Sequence, residues 1–204
     1  MHAYTNIAFT QSVKDAQARE GSRANYESFE VGAEAVNRDL GEAEAEFIAS
    51  QRSFYVATVS ETGWPYVQHR GGPRGFLKVL NPRTIAFADY AGNRQFISVG
   101  NLAVNDKASI ILMDYAQKVR LKILGRMRVG ELRPDDSMFA RLVESGYRAR
   151  PQRVMSLSVE GFDWNCPQHI PVRIDVEDFN AALAARDQRI ADLQEQLAAA
   201  KRVG

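Results

Sequence analysis

Apolar and polar positions change rhythm three times along this chain. Residues 1 to about 40 are polar, rich in Ala, Glu, Arg and Gly, and show no sustained period. They predict a loosely packed arm with one or two short helices. Gly41 to Ser50 predicts a helix with Phe47 and Ile48 as its apolar side. From Ser53 the period drops to two. Ser53–Ser60 is rich in β-branched and aromatic residues and predicts a strand, Glu61–Trp64 a turn, and Pro65–Arg70 the returning strand of a hairpin. Gly71–Gly75 reads as a loop, Phe76–Leu80 as a strand, Asn81–Arg83 as a turn, and Thr84–Asp89 as another strand. Asn93 would cap a short helix running to Leu102. Lys107–Asp114 and Lys118–Leu124 follow as strands, with a bend or bulge at Gly125 before Arg126–Glu131. Pro134 opens a helix to about Glu144. Arg153–Val159 and Ile170–Val176 complete the strand set.

Strands at this spacing, with only short helices between them, predict a mainly β fold with peripheral helices, an antiparallel barrel rather than a doubly wound sheet. The last stretch changes period again. Val176, Phe179, Leu183, Ile190, Leu193 and Leu197 recur in steps of three and four, with Arg186 in one slot. This C-terminal helix fits either a short coiled coil or an amphipathic helix docked on its own barrel. The expected organisation is an N-terminal arm over 1–45, a barrel over 46–176 and the helix over 177–204.

Composition narrows the function classes. Lys and Arg number 26 and Asp and Glu 25, a formal charge of +1, which gives no reason to expect nucleic acid or an anionic membrane as partner. The one cysteine, Cys166, cannot form an internal disulfide, which fits a cytoplasmic protein. The N-terminus lacks the basic-then-apolar pattern of a secretory signal, and no apolar run approaches the ~20 residues of a membrane-spanning helix. His2, His69 and His169 show no ligand spacing with Cys166, so no metal site is expected. GxSxG, P-loop and GxGxxG motifs are missing from the sequence.

Four groups could carry chemistry. Asp89-Tyr90-Ala91-Gly92-Asn93-Arg94-Gln95 lies between a strand and a helix start, where free N–H groups and a guanidinium make an anion site. Gln68 and Arg70 share one strand face with His69 on the other, and Arg74 and Lys78 follow across a glycine-rich loop. Taken singly these are surface cations; placed jointly around Asn93 and Arg94 they would neutralise a phosphate. Lys118, Arg120 and Lys122 alternate along one strand as a polar face, from which Arg120 could reach a ligand's carbonyl oxygens. Asp163-Trp164-Asn165-Cys166-Pro167-Gln168-His169 is dense in groups that stack on a flat ring or pair with its edge. Trp164 could equally be a core anchor and His169 a loop histidine.

With these segments in order, the chain resembles the pyridoxamine 5'-phosphate oxidase-like family of FMN-binding split β-barrels. The resemblance spans about Glu46 to Val176 and rests on Phe54–Val59 through Pro65–Val67, on Gly75–Lys78, on Phe87–Gln95 with Asn101 and Leu102, on Arg120–Arg126, and on Trp164–Pro171. It implies a homodimer with FMN at the subunit interface. Arg70, Lys78, Asp89, Tyr90, Asn93, Arg94 and Gln95 would hold the phosphate end. Arg120 stands where the family often has a glutamine that touches the flavin, and Trp164, Asn165, Gln168 and His169 would reach the ring. The chain departs from the family's closing Trp-Arg and Arg-x-His pattern and from its Ser-Gln pattern near Tyr147–Arg150, so pyridoxamine 5'-phosphate is not the expected substrate. The implied activity is an FMN-dependent oxidoreductase that moves hydride between flavin N5 and a small molecule. His169 is the candidate for proton transfer and a nicotinamide cofactor the candidate reductant. Two other readings are a flavin-binding carrier or sensor without turnover, and a split barrel binding haem, through His69 or His169, or deazaflavin.

Overall fold

A computed structural model describes residues 1–32, 36–165 and 167–203. Cys166 lies outside the described residues, as does the side chain of Asn165. The chain forms two compact units: Met1–Asp114 with Val119–Pro167, and Tyr115–Lys118 with the chain from Gln168 onward.

The first unit is built on a seven-stranded sheet: β1 (Ser53–Val59), β2 (Pro65–Gly71), β3 (Lys78–Asn81), β4 (Thr84–Tyr90), β5 (Lys107–Asp114), β6 (Val119–Glu131) and β7 (Pro151–Asn165). The spatial order is β2-β1-β5-β6-β7-β4-β3, and all pairings are antiparallel. The predicted mainly β, antiparallel split-barrel fold with a C-terminal helix is therefore what the chain adopts. Period-two alternation sends Phe54 and Val56 of β1, Ile110 and Leu112 of β5, Leu121 and Ile123 of β6 and Phe87 of β4 into one continuous core. Phe54 is at its centre, stacked on Phe76 at 5.5 Å and edge-on to Phe87 at 5.1 Å. β4 is buried on both faces, because Ala86 and Ala88 pack outward against Leu142 of α6 (Ser137–Leu142).

Helices cover the margins. α4 (Glu42–Ser50) buries Ile48 in the core, and α5 (Ile97–Val104) donates from buried Asn101 Nδ2 to Thr58 Oγ1 at 3.0 Å. The N-terminal segment forms α1 (Ala3–Ala8), α2 (Gln11–Arg19), α3 (Arg23–Tyr26) and a 3₁₀ turn over Glu27–Glu30. α1 lies against β7 so closely that a Cβ on Gly161 would fall 2.6 Å from the Tyr4 nitrogen.

Several expected elements differ. The helix expected from Asn93 begins at Ile97, the strand expected from Phe76 begins at Lys78, and the helix expected from Pro134 begins at Ser137. No strand forms over Ile170–Val176, although that segment alternates. β6 already pairs with β7 as far as Asn165, and Pro171 has no N–H to give to a ladder. In the second unit, Arg173 lies over the Tyr115 ring at 5.0 Å, and α7 (Val176–Val203) exposes Phe179, Ile190, Leu193 and Leu197.

The β6–β7 ladder shifts register at Gly125: Leu124 faces Gly161 and Gly125 faces Val159, leaving Glu160 as the extra residue. A Cβ at Gly125 would sit 2.2 Å from the Ser158 carbonyl oxygen, so the chain can cross there only without a side chain. Gly125→Ala is expected to destabilise the fold by about 1–3 kcal/mol, read as a lower urea midpoint with an unchanged slope.

Candidate functional site

The site grows from the alternation of β2. Tyr66, Gln68 and Arg70 turn toward the protein and are half-buried, whereas Val67 and His69 face out. β2 is one edge of the sheet and β3 the other, with β4 next to it. Curling the sheet brings Arg70 to Asp89 at the end of β4, and the two form a short hydrogen-bonded ion pair. Asp89 is 6% exposed. Its second oxygen lies 3.3 Å from Nε of Arg153, the residue directly opposite it on β7. A carboxylate this buried needs charged partners, and two guanidinium groups supply them. They also over-neutralise it, leaving net positive charge where the edges meet.

Beyond Tyr90 the chain does not enter a helix at once. Asn93 Oδ1 accepts from the Gln95 N–H at 3.2 Å, closing a turn of its own rather than capping a helix. Arg94 (φ 61°) and Phe96 (φ 53°) are both left-handed. That conformation costs non-glycine residues roughly 1–2 kcal/mol each, and such strain clusters where a loop is shaped for a ligand. α5 starts only then. Its first turn, Ile97, Ser98 and Val99, lines a cleft with Gln68, Arg70 and Asp89, and Ser98 Oγ donates to Gln68 Oε1 at 2.8 Å. First-turn N–H groups have no partner within their own helix. Tyr90, Asn93, Arg94 and Gln95 line the same cleft. Among the described residues neither Arg94 nor Arg150 has an ion-pair or hydrogen-bond partner for its side chain.

The structure thus brings together Arg70, Asp89, Tyr90, Asn93, Arg94 and Gln95. The cations expected to join Arg70 go elsewhere. Lys78 pairs with Glu144, and Arg74 Nη1 donates to the Ser50 carbonyl at 2.9 Å. The Gly71–Gly75 loop is folded back by Gly72 N–H on Arg52 O and Gly75 N–H on Gln51 O, which carries Arg74 with it. Arg120 lies on β6 opposite Met113 and Asn165, outside the cleft, with Nε buried and unpaired. Trp164 Nε1 donates to Glu44 at 2.8 Å and its ring meets Phe47 edge-on at 4.8 Å, so this indole fastens α4 to β7. Gln168 and His169 belong to the second unit and are exposed. The sequence reading missed Arg153, Phe96 and Ser98. Arg153 could have been found only by pairing β7 with β4 in register.

The family match follows this geometry. A family model described as pyridoxamine 5'-phosphate oxidase matches residues 40–163, which takes in the whole sheet through Asp163 and every residue of the cleft. The chain belongs to the pyridoxamine 5'-phosphate oxidase family. No curated protein matches the chain. Solved structures similar to this family member include HupZ of Group A Streptococcus, at 15% identity over 66% of this chain and 100% of that one, with a TM-score of 0.49. An FMN-binding protein from Syntrophomonas wolfei is 14% identical over 73% of this chain and 97% of that one, with a TM-score of 0.46. The haem storage protein HutZ from Vibrio cholerae is 16% identical over 61% and 94%, with a TM-score of 0.41. Among the described residues no group of His, Cys, Asp and Glu could hold a metal ion, and no helix is long and apolar enough to cross a membrane.

Tyr90 gives a check on the site's interior. Its hydroxyl is buried without a hydrogen-bond partner, and its ring meets Tyr147 at 5.0 Å. Burial, then Tyr147 and Glu144, push its pKa above the ordinary 10.0. A folded-state pKa raised in this way favours the native state fully below pH ~10, and the contribution is lost as pH climbs through the folded value. In an absorbance titration of the phenols, Tyr90→Phe should remove the latest-titrating tyrosine. Stability at pH 7 should change by less than about 1 kcal/mol, because no hydrogen bond is lost.

Proposed function

We propose that this family member is an FMN-dependent oxidoreductase, assembled as a homodimer with the flavin at the subunit interface, that exchanges hydride between flavin N5 and a small organic molecule. One observation carries the reading: the cleft has more positive charge than its own carboxylate can use. Asp89 is saturated by Arg70 and Arg153, and Arg94 stands at the α5 start with no partner among the described residues. A phosphate dianion fits this set of donors. Arg94, Asn93 and Gln95, with the first-turn N–H groups of α5, would grip it. The Arg70–Asp89–Arg153 cluster beneath them would act as a rigid positive floor.

Charge and burial divide the other roles. Tyr90 stays neutral through the physiological range and is a donor in reserve, not a base. Arg120, expected at the flavin ring, is part of the same proposal, whereas Trp164 is engaged by Glu44 and Phe47. The substrate is a small molecule other than pyridoxamine 5'-phosphate, and a nicotinamide cofactor is the proposed reductant. A cytoplasmic location belongs to the proposal too.

Arg94 and Lys78 separate cleft from surface. In a flavin-fluorescence titration of the full chain, Arg94→Ala should weaken FMN binding about 10–100-fold, the worth of a charged hydrogen bond to phosphate. Lys78→Ala should leave the affinity within about twofold, since Lys78 is engaged by Glu144 and does not line the cleft. Equal losses in the two variants would count against a phosphate seat at Arg94.

A further inference from the structure

Next to the cleft, and sharing Arg94 and Phe96 with it, is a second and wider hollow. Its cationic side is Arg94, Arg150 and Arg153, and its apolar side includes Phe96, Leu132 and Phe139. No acidic residue lines it. Arg153 lies over the Phe96 ring at 4.8 Å, so one guanidinium joins the two sides. Arg150 is fixed at its backbone, where its carbonyl accepts from Ala91 N–H at 2.9 Å, while its side chain is exposed and unpartnered. Phe96 is 44% exposed and is held in its left-handed conformation at the boundary between the two hollows.

A surface with two unpaired arginines, a third shared with a saturated carboxylate, and a facing wall of aromatic and aliphatic side chains has a definite complement. We propose that this hollow is the substrate subsite, and that it takes a small organic carboxylate with a flat apolar body. The carboxylate would lie on Arg150 and Arg153, and the apolar body would cover Phe96, Leu132 and Phe139. The charge count favours a monoanion. If Arg94 serves the phosphate in the adjoining cleft, the hollow retains Arg150 and half of the charge of Arg153, too little for a second dianion. Assigning the ligand as substrate rests on the flavin reading; the affinity for an aromatic carboxylate does not.

The test uses 2-naphthoate as probe and 2-naphthalenemethanol as its neutral counterpart, titrated calorimetrically into the full chain with and without FMN. Naphthoate should bind at least about tenfold more tightly than the alcohol, by the worth of one charged hydrogen bond. Arg150→Ala should remove that preference, Arg150→Lys should keep part of it, and both should leave FMN affinity unchanged. Equal binding of acid and alcohol, or naphthoate binding indifferent to Arg150→Ala, overturns the proposal. If Arg150→Ala weakens FMN as much as Arg94→Ala does, the hollow is the flavin's own phosphate seat and the proposal fails while the flavin reading stands. If the chain ignores FMN but binds naphthoate through Arg150, the flavin reading and the substrate role fall and the carboxylate site remains.

Discussion

Asp89 holds the sheet and the site together. It lies at the end of β4, 6% exposed, between Arg70 from one edge of the sheet and Arg153 from its neighbour β7. Removing a carboxylate from such a cluster leaves two guanidinium groups facing each other with no counter-charge, a far larger penalty than the net worth of the intact pairs. Arg70 is on the strand farthest in sheet order from β3 and meets Asp89 where the sheet has curled, as Phe54 of β1 meets Phe87 of β4 in the core. Closure therefore brings two guanidinium groups to one carboxylate and leaves positive charge at the seam.

That coupling explains why the two proposed binding surfaces lie where they do. The β4 end, the left-handed Arg94 and Phe96, the α5 start and the first residues of β7 all meet above the seam. The hairpin and the β5–β6–β7 ladders form a rigid wall with a continuous apolar core. The loop from Ala91 to Phe96 can carry strain because that wall over-determines its ends. Two hollows sharing Arg94 and Phe96 follow, one polar and narrow, the other wider with an apolar side. The proposed phosphate in the first and carboxylate with an apolar body in the second would give each unpaired arginine a partner.

The fold was legible where its signal was local. The β1–β2 hairpin, β4 and β5 appear in the period-two pattern, and alternation correctly set Gln68 and Arg70 on one face of β2 with His69 on the other. Local signals failed where geometry was unusual. Asn93 looks like a helix cap, and nothing in Arg94 or Phe96 announces a left-handed backbone. β7 runs on to Asn165, past the Val159 at which the strand was expected to end, because the extra residue Glu160 is absorbed as a bulge and the pairing with β6 resumes at Gly161. Ile170–Val176 alternates like a strand, but β7 already occupies the ladder beside β6. The site was half legible. Arg70, Asp89, Asn93 and Arg94, expected together, do meet in one cleft, whereas Lys78 is engaged by Glu144 and Arg74 by the Ser50 carbonyl. Arg153 was invisible because its role depends on a register across 64 residues of chain, from Asp89 to Arg153.

The account turns on whether the cleft is built for a phosphate. Parallel titrations of the full chain with FMN and with riboflavin, at moderate salt, isolate that group, since the two ligands share the ring and differ in the terminal phosphate. The account predicts that FMN binds at least about 30-fold more tightly, from one or two charged hydrogen bonds, and that the gap narrows as salt rises. Equal affinities for the two ligands, or binding of neither, would contradict it.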